Sequence, residues 1–280
     1  MESLSVFLQQ HATNGFIPLS AQIEAVRRFN LSFASVEEET LRLSILPERY
    51  RRNSGTISVE NQLRLFLSHV GLIGCGGLGG YILEELARIG IGHITVIDPD
   101  VFEEHNLNRQ VLATMETLHT PKVAAAMDRV KIISPSMTVQ AVQTAFSPKN
   151  GHDLLTGMSV VIDGLDSIQA RLDLAEICES QGIPLIHGSI AGWYGQVFTQ
   201  FPGDRTLQTL FGNNPPYQGI EQELGNPSFL PPFVASLEVA EAVKVLLGEG
   251  ELLRLRFLSI NLLDMEIAVI PIPDPCKGKA

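Results

Sequence analysis

The chain has 280 residues, 45% of them hydrophobic and 18% charged, a composition that excludes an intrinsically disordered protein. Its formal net charge of −11 disfavours a nucleic-acid partner, because surfaces that bind nucleic acid are normally basic. No apolar stretch reaches the roughly 18 residues that span a bilayer, no signal-peptide pattern is present, and the three cysteines lack metal or redox spacing. We therefore expect a cytoplasmic globular protein with no membrane partner.

Residues 1–48 predict a small helical extension. Ser35 and Glu38 have the spacing of a capping box, which predicts a helix start at Ser35, and Pro47 predicts its end. The basic segment 49–53 follows. Ser58 then begins an amphipathic helix whose apolar residues recur at spacings of three and four.

Beyond residue 70, strand and helix patterns alternate. Candidate strands span 70–73, 93–98, 137–143, 159–163, 184–190, 193–201, 256–263 and 267–272. Candidate helices span 77–89, 121–133, 167–181 and 232–247. This alternation predicts an α/β, Rossmann-like fold, with a mostly parallel sheet, helices on both faces and antiparallel strands at the C-terminal edge. We expect one such domain over 49–272, a long functional or mobile loop over 202–230, and a flexible tail over 273–280.

A glycine turn follows the first strand of this domain. Gly74, Gly76 and Gly79 have the G-x-G-x-x-G spacing, which lets a backbone turn tightly and approach a phosphate at a helix start. Asp98 ends the next strand, where an acid can accept hydrogen bonds from ribose hydroxyls. The alternatives are a purely structural turn for the glycines and a turn residue for Asp98.

Charged residues stand near the ends of later elements. Thr120 and Pro121 predict the cap and first residue of a helix, which places Lys122 in its first turn. A cation there is disfavoured by the helix dipole unless an anion lies nearby, so Lys122 favours a bound phosphate. Arg109 is a second candidate cation for the same site.

Two acids stand at the carboxyl end of the candidate strand 159–163. Asp163 and Asp166 lie where carboxylates can hold Mg²⁺ together with phosphate oxygens. Taken singly, each of these charges has the alternative of a solvated surface residue. That alternative weakens because all of them fall at the strand ends where α/β proteins bind ligands.

In this order, the motifs resemble the MoeB/ThiF/HesA family, the bacterial relatives of ubiquitin-activating enzymes. The resemblance covers about residues 48 to 272 and rests on segments 74–79, 98–100, 106–110, 121–122 and 163–166. It implies that 49–272 is an ATP-binding adenylyltransferase domain. The implied substrate is the C-terminal glycine of a small ubiquitin-like sulfur-carrier protein ending in Gly-Gly.

The resemblance also implies roles for individual residues. It places Gly77 against the phosphates, Asp98 at the ribose, and Asn106, Arg109 and Gln110 at the triphosphate. The implied nucleotide-binding set is Gly74, Gly76, Gly77, Gly79, Asp98, Asp100, Asn106, Arg109, Gln110 and Lys122. Arg52 resembles an arginine that reaches the partner subunit's ATP in family dimers, which implies a homodimer. The implied catalytic set is Arg109, Lys122, Asp166 and Arg52, with Asp166 serving Mg²⁺.

Two departures from the family stand out. Most relatives hold a structural zinc with two Cys-x-x-Cys pairs, and this chain has none, so we expect ATP and Mg²⁺ but no zinc. The stretch 218–230 lacks the cysteine that forms a thioester in some relatives. Cys75 and Cys178 are predicted to be packed, and His187 to be packed or hydrogen-bonded.

The implied reaction needs no general base, because a carboxylate of pKa ~3.5 is already ionised at pH 7. One alternative is an NAD-dependent oxidoreductase, which accounts for the glycine turn but leaves Arg109, Lys122 and Asp166 unexplained. The other is a non-catalytic nucleotide-binding module of the same fold, suggested by the missing zinc cysteines. Tight NAD binding without ATP binding would identify the first, and absent nucleotide turnover would identify the second.

Overall fold

A computed structural model describes residues 2–212 and 221–272 of the chain. Its helices are α1 Leu4–His11, α2 Leu19–Phe29, α3 Phe33–Arg42, α4 Val59–Leu67, α5 Gly77–Ile89, α6 Lys122–Ile133, α7 Gly151–Leu155, α8 Ile168–Gln181, α9 Thr206–Phe211, α10 Glu221–Leu224 and α11 Leu230–Leu247. Its strands are β1 Phe16–Ile17, β2 Leu46–Pro47, β3 His69–Ile73, β4 His93–Ile97, β5 Thr138–Val142, β6 Val160–Asp163, β7 Leu185–Ala191, β8 Tyr194–Gln200, β9 Arg256–Asn261 and β10 Glu266–Pro271.

Strands β3 to β10 form one sheet in the order β10-β9-β8-β7-β6-β3-β4-β5. Strands β3 to β7 pair in parallel, and β8, β9 and β10 continue the sheet in antiparallel pairs. Side chains alternate between the faces, so neighbouring Leu72 and Ile73 of β3 belong to different core clusters. The predicted fold class, including the antiparallel C-terminal edge, is confirmed.

Helices cover both faces of this sheet. On the face of Leu72, α5 and α11 bury Leu83 and Val234 in the larger core cluster. On the face of Ile73, α8 and α9 bury Leu174 and Leu207 in a second cluster. Because both faces are covered, the ends of the strands remain for polar groups and ligands.

Residues before β2 form the predicted helical extension, with a core of their own. Phe7, Ala25 and Val36 come from its three helices and lie in one buried cluster. The predicted helix start at Ser35 is wrong, because α3 begins at Phe33 and the Ser32 hydroxyl accepts the Ser35 N–H at 3.0 Å. Two serines three residues apart offer competing caps, and the earlier one is used.

Polar contacts of Tyr50 and Arg49 fix the chain where the extension meets the main domain. The Tyr50 hydroxyl donates to the Glu37 carboxylate at 2.7 Å. Arg49 donates to the Ile133 carbonyl and, at 3.2 Å, to the Ser134 hydroxyl. Its positive charge is favourable there, because the C-terminal end of α6 carries the negative end of the helix dipole. Arg49 and Tyr50, the first residues of the segment 49–53, therefore form their hydrogen bonds within the chain.

The start of α6 differs from its prediction. Pro121, not Thr120, holds the cap position, and Lys122 is the first helical residue. Pro121 forms a bridge with Val101, and the Lys122 N–H donates to the Asp100 carbonyl at 2.9 Å. These backbone contacts to the chain after β4 fix where the helix begins.

Four further helices differ from the sequence-based predictions. The stretch 202–230 contains α9 and α10, whereas residues 213–220 lie outside the described part of the chain, as does the predicted tail 273–280. Helix α7 was missed because five residues are too few for a periodic pattern. Helix α11 begins at Leu230, two residues early, because Pro231 and Pro232 are compatible with a first turn.

Within 2–212 and 221–272, no helix has the length and apolar character to cross a membrane.

Candidate active site

A cavity of about 360 Å³ opens at the carboxyl ends of β3, β4 and β6. Strand β3 lies between β4 and β6, so the cavity occupies the switch point where open α/β sheets bind ligands. Nine of the predicted site residues line it: Gly74, Gly76, Gly77, Asp98, Asp100, Arg109, Gln110, Lys122 and Asp166.

The glycine turn joins β3 to α5 at the floor of this cavity. Gly74 has a φ of +95°, and a Cβ there would stand 2.4 Å from the Gly164 carbonyl oxygen. A Cβ on Gly79 would stand 2.0 Å from the Gly74 carbonyl oxygen, so Gly79 allows close packing under the turn and does not line the cavity. Gly77 is the first residue of α5, whose free N–H groups can bind an anion.

Asp98 stands at the end of β4, beside the glycine turn. Its carboxylate accepts the Cys75 N–H at 2.7 Å and the Asp100 N–H at 2.8 Å. Burial raises the pKa of Asp98, and these hydrogen bonds and the charge of Lys122 oppose the rise. A carboxylate has about four lone-pair sites, so acceptor capacity remains for a ligand hydroxyl.

Lys122 carries a nearly buried ammonium at the start of α6. Its side chain is only 8% exposed, and Nζ lies 2.8 Å from Oδ2 of Asp100, whose side chain is 61% exposed. A cation at a helix N-terminus needs an anionic partner, and Asp100 provides one within the chain. A phosphate entering the cavity can take over that role.

Arg109 faces Asp166 across the cavity. Its Nε lies 3.8 Å from where a Cβ on Gly77 would stand, so the guanidinium lies over the first turn of α5. Burial lowers the pKa of Arg109, and the nearby charge of Asp166 opposes that change. One Nη atom of Arg109 donates to the Asn108 side-chain oxygen at 2.9 Å. Cation, carboxylate and helix N-terminus thus meet at one place.

Two predicted residues lie away from the cavity lining. Asn106 is buried, and its side-chain oxygen accepts the Glu103 N–H at 3.0 Å, which caps the 3₁₀ turn ahead of Arg109. Arg52 is exposed on the turn after Tyr50 and has no hydrogen bond or ion pair to the described residues. Within this chain Asn106 shapes the loop, and Arg52 remains available to another molecule.

Asp163 does not share the position of Asp166. It is fully buried, accepts the Leu165 N–H at 2.9 Å, and lies 2.6 Å from Nδ1 of His187. Because Asp163 points into the core, Asp166 lines the cavity without it. The prediction of a hydrogen-bonded His187 is confirmed, and its burial lowers the pKa of the imidazole.

The two cysteines in the described residues are packed, as predicted. Cys75 and Cys178 are both buried, and neither forms a disulfide. Burial raises the pKa of both thiols, that of Cys178 to about 12. Thiols of this kind are poor nucleophiles at neutral pH.

A second cavity of about 290 Å³ adjoins the first and was not foreseen. It lies over β7, β8 and β9, and it shares Arg171 and Ile190 with the lining of the first cavity. Asn226, which follows α10, lines the first cavity and accepts the Asn108 side-chain N–H at its backbone oxygen at 3.2 Å. Arg171 could have been suspected from the sequence, because it is the fourth residue of α8, about one turn into a helix that starts at the sheet edge.

Glu238 of α11 carries a buried carboxyl that gives a stability prediction. It is fully buried, and neither oxygen has a hydrogen-bond partner among the described residues. A Cβ on Gly188 would stand 2.3 Å from its carboxyl carbon, so the group fills the space over that glycine. Burial, helped by the charge of Asp163, raises the pKa of Glu238 well above its ordinary value.

A carboxyl whose pKa is raised on folding contributes to the free energy of unfolding at pH values below its unfolded pKa. That contribution is lost as the pH rises through the folded pKa. We therefore expect Glu238→Gln to raise the free energy of urea unfolding at pH 8 and to give a smaller gain near pH 5. The matched control is Glu176→Gln, an exposed position on α8, which should change little. A wild type more stable than Glu238→Gln at pH 8 would contradict an unpaired buried carboxyl.

Comparison with known proteins identifies the family. The model of the ThiF family matches residues 50–278. The chain belongs to the ThiF family. It is 34% identical over 228 residues to the SAMP-activating enzyme E1 of Haloferax volcanii, covering 80% of this chain and 84% of that protein. It is 33% identical over 214 residues to the sulfur carrier protein adenylyltransferase of Thermus thermophilus, covering 73% and 79%.

Solved structures share the fold. Escherichia coli MccB superposes with a TM-score of 0.68 at 20% identity, covering 82% of this chain and 73% of MccB. The Escherichia coli tRNA N6-threonylcarbamoyladenosine dehydratase TcdA superposes with a TM-score of 0.61 at 25% identity, covering 72% and 95%. The prediction of a ThiF-family enzyme is confirmed, and the oxidoreductase alternative drops out.

Proposed function

We propose that this chain uses ATP to adenylate the C-terminal glycine carboxylate of a small ubiquitin-like sulfur carrier ending in Gly-Gly. The observation that carries the proposal is that the glycine turn, Arg109, Lys122 and Asp166 all line the same cavity in a ThiF-family chain. Relatives whose names specify a SAMP or a sulfur carrier match about four fifths of their own length, which supports this substrate class.

The reaction forms one bond and breaks one. A carboxylate oxygen of the carrier attacks the α-phosphorus in line, and the bond from that phosphorus to the pyrophosphate oxygen breaks. No proton moves, because the attacking carboxylate is already ionised at neutral pH. Catalysis then depends on positioning and on neutralising the charge that collects on pyrophosphate.

The chain's residues divide this work between them. The N-terminus of α5 and Lys122 bind phosphate oxygens, and Lys122 exchanges Asp100 for the triphosphate. Arg109 lies over the glycine turn and meets the charge that develops on the leaving group. Asp98 accepts hydrogen bonds from the ribose.

The donor set fits Mg²⁺ held mainly by the nucleotide. Asp166 lines the cavity as one free carboxylate, and the described residues contain no group of three or more potential metal ligands. Mg²⁺ commonly uses one or two carboxylates together with substrate phosphates. When bound, it would neutralise phosphate charge, and Asp166 would hold it on the side of Arg109.

The second cavity offers a route for the carrier's tail. It runs beside β7 to the shared residues Arg171 and Ile190, and part of its wall is made of small residues such as Ser189, Ala191 and Gly195. A tail of two glycines carries no side chains that could clash with these walls on its way to the α-phosphate. The buried free thiols fit a cytoplasmic location.

The test is exchange of radiolabelled pyrophosphate into ATP. Purified small proteins that end in Gly-Gly would be added singly, each beside its own form lacking the last two residues. We expect exchange only with a complete carrier, because the reverse reaction requires the acyl-adenylate. Equal exchange without any carrier, or with the truncated forms, would contradict the proposal.

We also predict that the reaction needs neither zinc nor an enzyme thioester. Cys75 and Cys178 are buried, and burial raises the pKa of both thiols. Metal analysis of purified protein should find less than one zinc per chain. A variant with Cys75→Ala, Cys178→Ala and Cys276→Ser should keep carrier-dependent exchange. Loss of exchange in a variant that still melts cooperatively would reveal a covalent role for a cysteine.

A further inference from the structure

Arg171 lies where the two cavities meet. It is on the second turn of α8, and it belongs to the lining of both the nucleotide cavity and the cavity over β7 to β9. Its side chain is only 9% exposed, so its charge is largely removed from bulk solvent. A buried guanidinium at a junction between cavities is costly unless it has anionic or polar partners on both sides.

The chain satisfies only part of this guanidinium. One terminal nitrogen, Nη2, donates to the Leu165 carbonyl at 2.5 Å. Nε lies 3.6 Å from Oδ2 of Asp163, which is an ion pair but too long for a hydrogen bond. The other terminal nitrogen, Nη1, has no hydrogen-bond partner among the described residues. Leu165 and Asp163 thus hold Arg171 in place, and the carboxyl of Glu238 lies near enough to interact with its charge. The donors of Nη1 remain unused by the described residues.

Asp163 and His187 hold the anchoring side in place. Both are fully buried, and Nδ1 of His187 lies 2.6 Å from the same Asp163 oxygen that faces Arg171. Because burial lowers the pKa of His187, the neutral ring donates its Nδ1 proton to Asp163. The carboxylate therefore cannot rotate freely, and it fixes the direction of the guanidinium.

We propose that Arg171 binds the terminal carboxylate of the carrier at this junction and positions it against the α-phosphate. This assignment rests on the proposed function. The carboxylate and the triphosphate are both anions and repel each other, so a cation between them is needed before the oxygen can approach phosphorus. A guanidinium fork matches a carboxylate geometrically, and Arg171 exchanges no proton and forms no covalent bond. Asp163 and His187 are positioning residues that act through Arg171.

The test compares two probes that differ only at the carboxyl end. One is a short peptide ending in Gly-Gly with a free carboxylate, and the other is the same peptide ending in a carboxamide. We expect wild-type protein to bind the carboxylate at least about tenfold more tightly, as is typical for a hydrogen-bonded charged group. Arg171→Gln should bring the ratio to about one without changing affinity for the carboxamide, and Arg171→Lys should give an intermediate ratio.

Two further variants test the positioning residues. His187→Asn can keep an N–H donor toward Asp163 and should keep most of the preference. His187→Leu removes the donor and should reduce the preference while leaving affinity for the carboxamide unchanged. The matched control is Arg88→Gln, an exposed arginine paired with Glu84 on α5, which should behave like wild type.

Two results would overturn the assignment. One is a wild-type protein with no preference for the carboxylate peptide, and the other is a preference that survives in Arg171→Gln. ATP affinity and the melting temperature, measured on every variant, show whether a change is confined to the carboxylate. Carrier-dependent exchange in a wild type that lacks the preference would refute only the role of Arg171. Absence of exchange with every carrier would refute the proposed function instead.

Discussion

Replacing Arg109 or Asp166 by alanine is expected to lower carrier-dependent pyrophosphate exchange by about 10²–10³-fold each. Arg109 lies over the first turn of α5 and beside Asp166, so both side chains face the place where charge develops on pyrophosphate. Preorganised charges in a cavity act strongly because they need no reorganisation during the reaction. Initial rates of exchange at saturating carrier and ATP measure the effect.

Two matched variants separate chemistry from folding. Arg88→Ala and Asp128→Ala remove exposed charges from α5 and α6, outside the cavity, and should keep exchange near wild type. Calorimetry with ATP should show weaker binding by Arg109→Ala at an unchanged melting temperature. Near-wild-type exchange in both Arg109→Ala and Asp166→Ala would mean that the cavity is not the adenylation site.

Mixing two inactive variants is expected to restore activity if the protein is a homodimer with Arg52 acting across its two-fold axis. Arg52 is exposed and unpaired among the described residues, whereas Arg49 and Arg51 are used within the chain. A guanidinium fork from a second copy suits phosphate oxygens and would link assembly to activity. Arg52→Ala and Asp166→Ala should each be inactive alone.

After subunit exchange, an equal mixture contains about half heterodimers, and each has one complete site of two. Total exchange should therefore recover to about a quarter of wild type if the sites act independently. The control mixes Arg109→Ala with Asp166→Ala. Both residues of a site come from the same chain, so neither site of that heterodimer is complete and no activity should return. No recovery with Arg52→Ala, under proven subunit exchange, would show that Arg52 is not supplied in trans.

The parts of the fold that sequence predicts well are those with a local pattern. Strand β3, the glycine turn and α5 follow from an apolar run, fixed glycines and helical spacing. Helix α5 has its predicted bounds, and β3 begins one residue earlier than predicted, at His69. The start of α3 was misplaced because Ser32 and Ser35 satisfy the same capping rule. Helix α7 was missed because short helices depend on tertiary contacts.

The sequence predicts the part of the site whose residues stand near the carboxyl ends of parallel strands, because these ends meet at one edge of the sheet. Gly77, Arg109, Lys122 and Asp166 come from four separate segments and line one cavity, which the parallel order of the strands explains. The different directions of Asp163 and Asp166 could not be predicted, because they depend on where β6 ends and α8 begins. The place of Arg171 at a junction of two cavities could not be predicted, because the second cavity depends on the pairing of β7, β8 and β9.

The central claim is that an oxygen of the carrier carboxylate attacks the α-phosphorus of ATP, and an isotope transfer tests it most directly. A carrier whose terminal carboxylate is labelled with ¹⁸O would be incubated with wild-type protein and ATP, and hydroxylamine would then cleave the acyl-adenylate at its carbonyl carbon. Mass spectrometry should find AMP that contains one ¹⁸O atom, since the bridging oxygen leaves with phosphorus. Release of ADP, or of AMP without label, would contradict adenylation of the carrier by this protein.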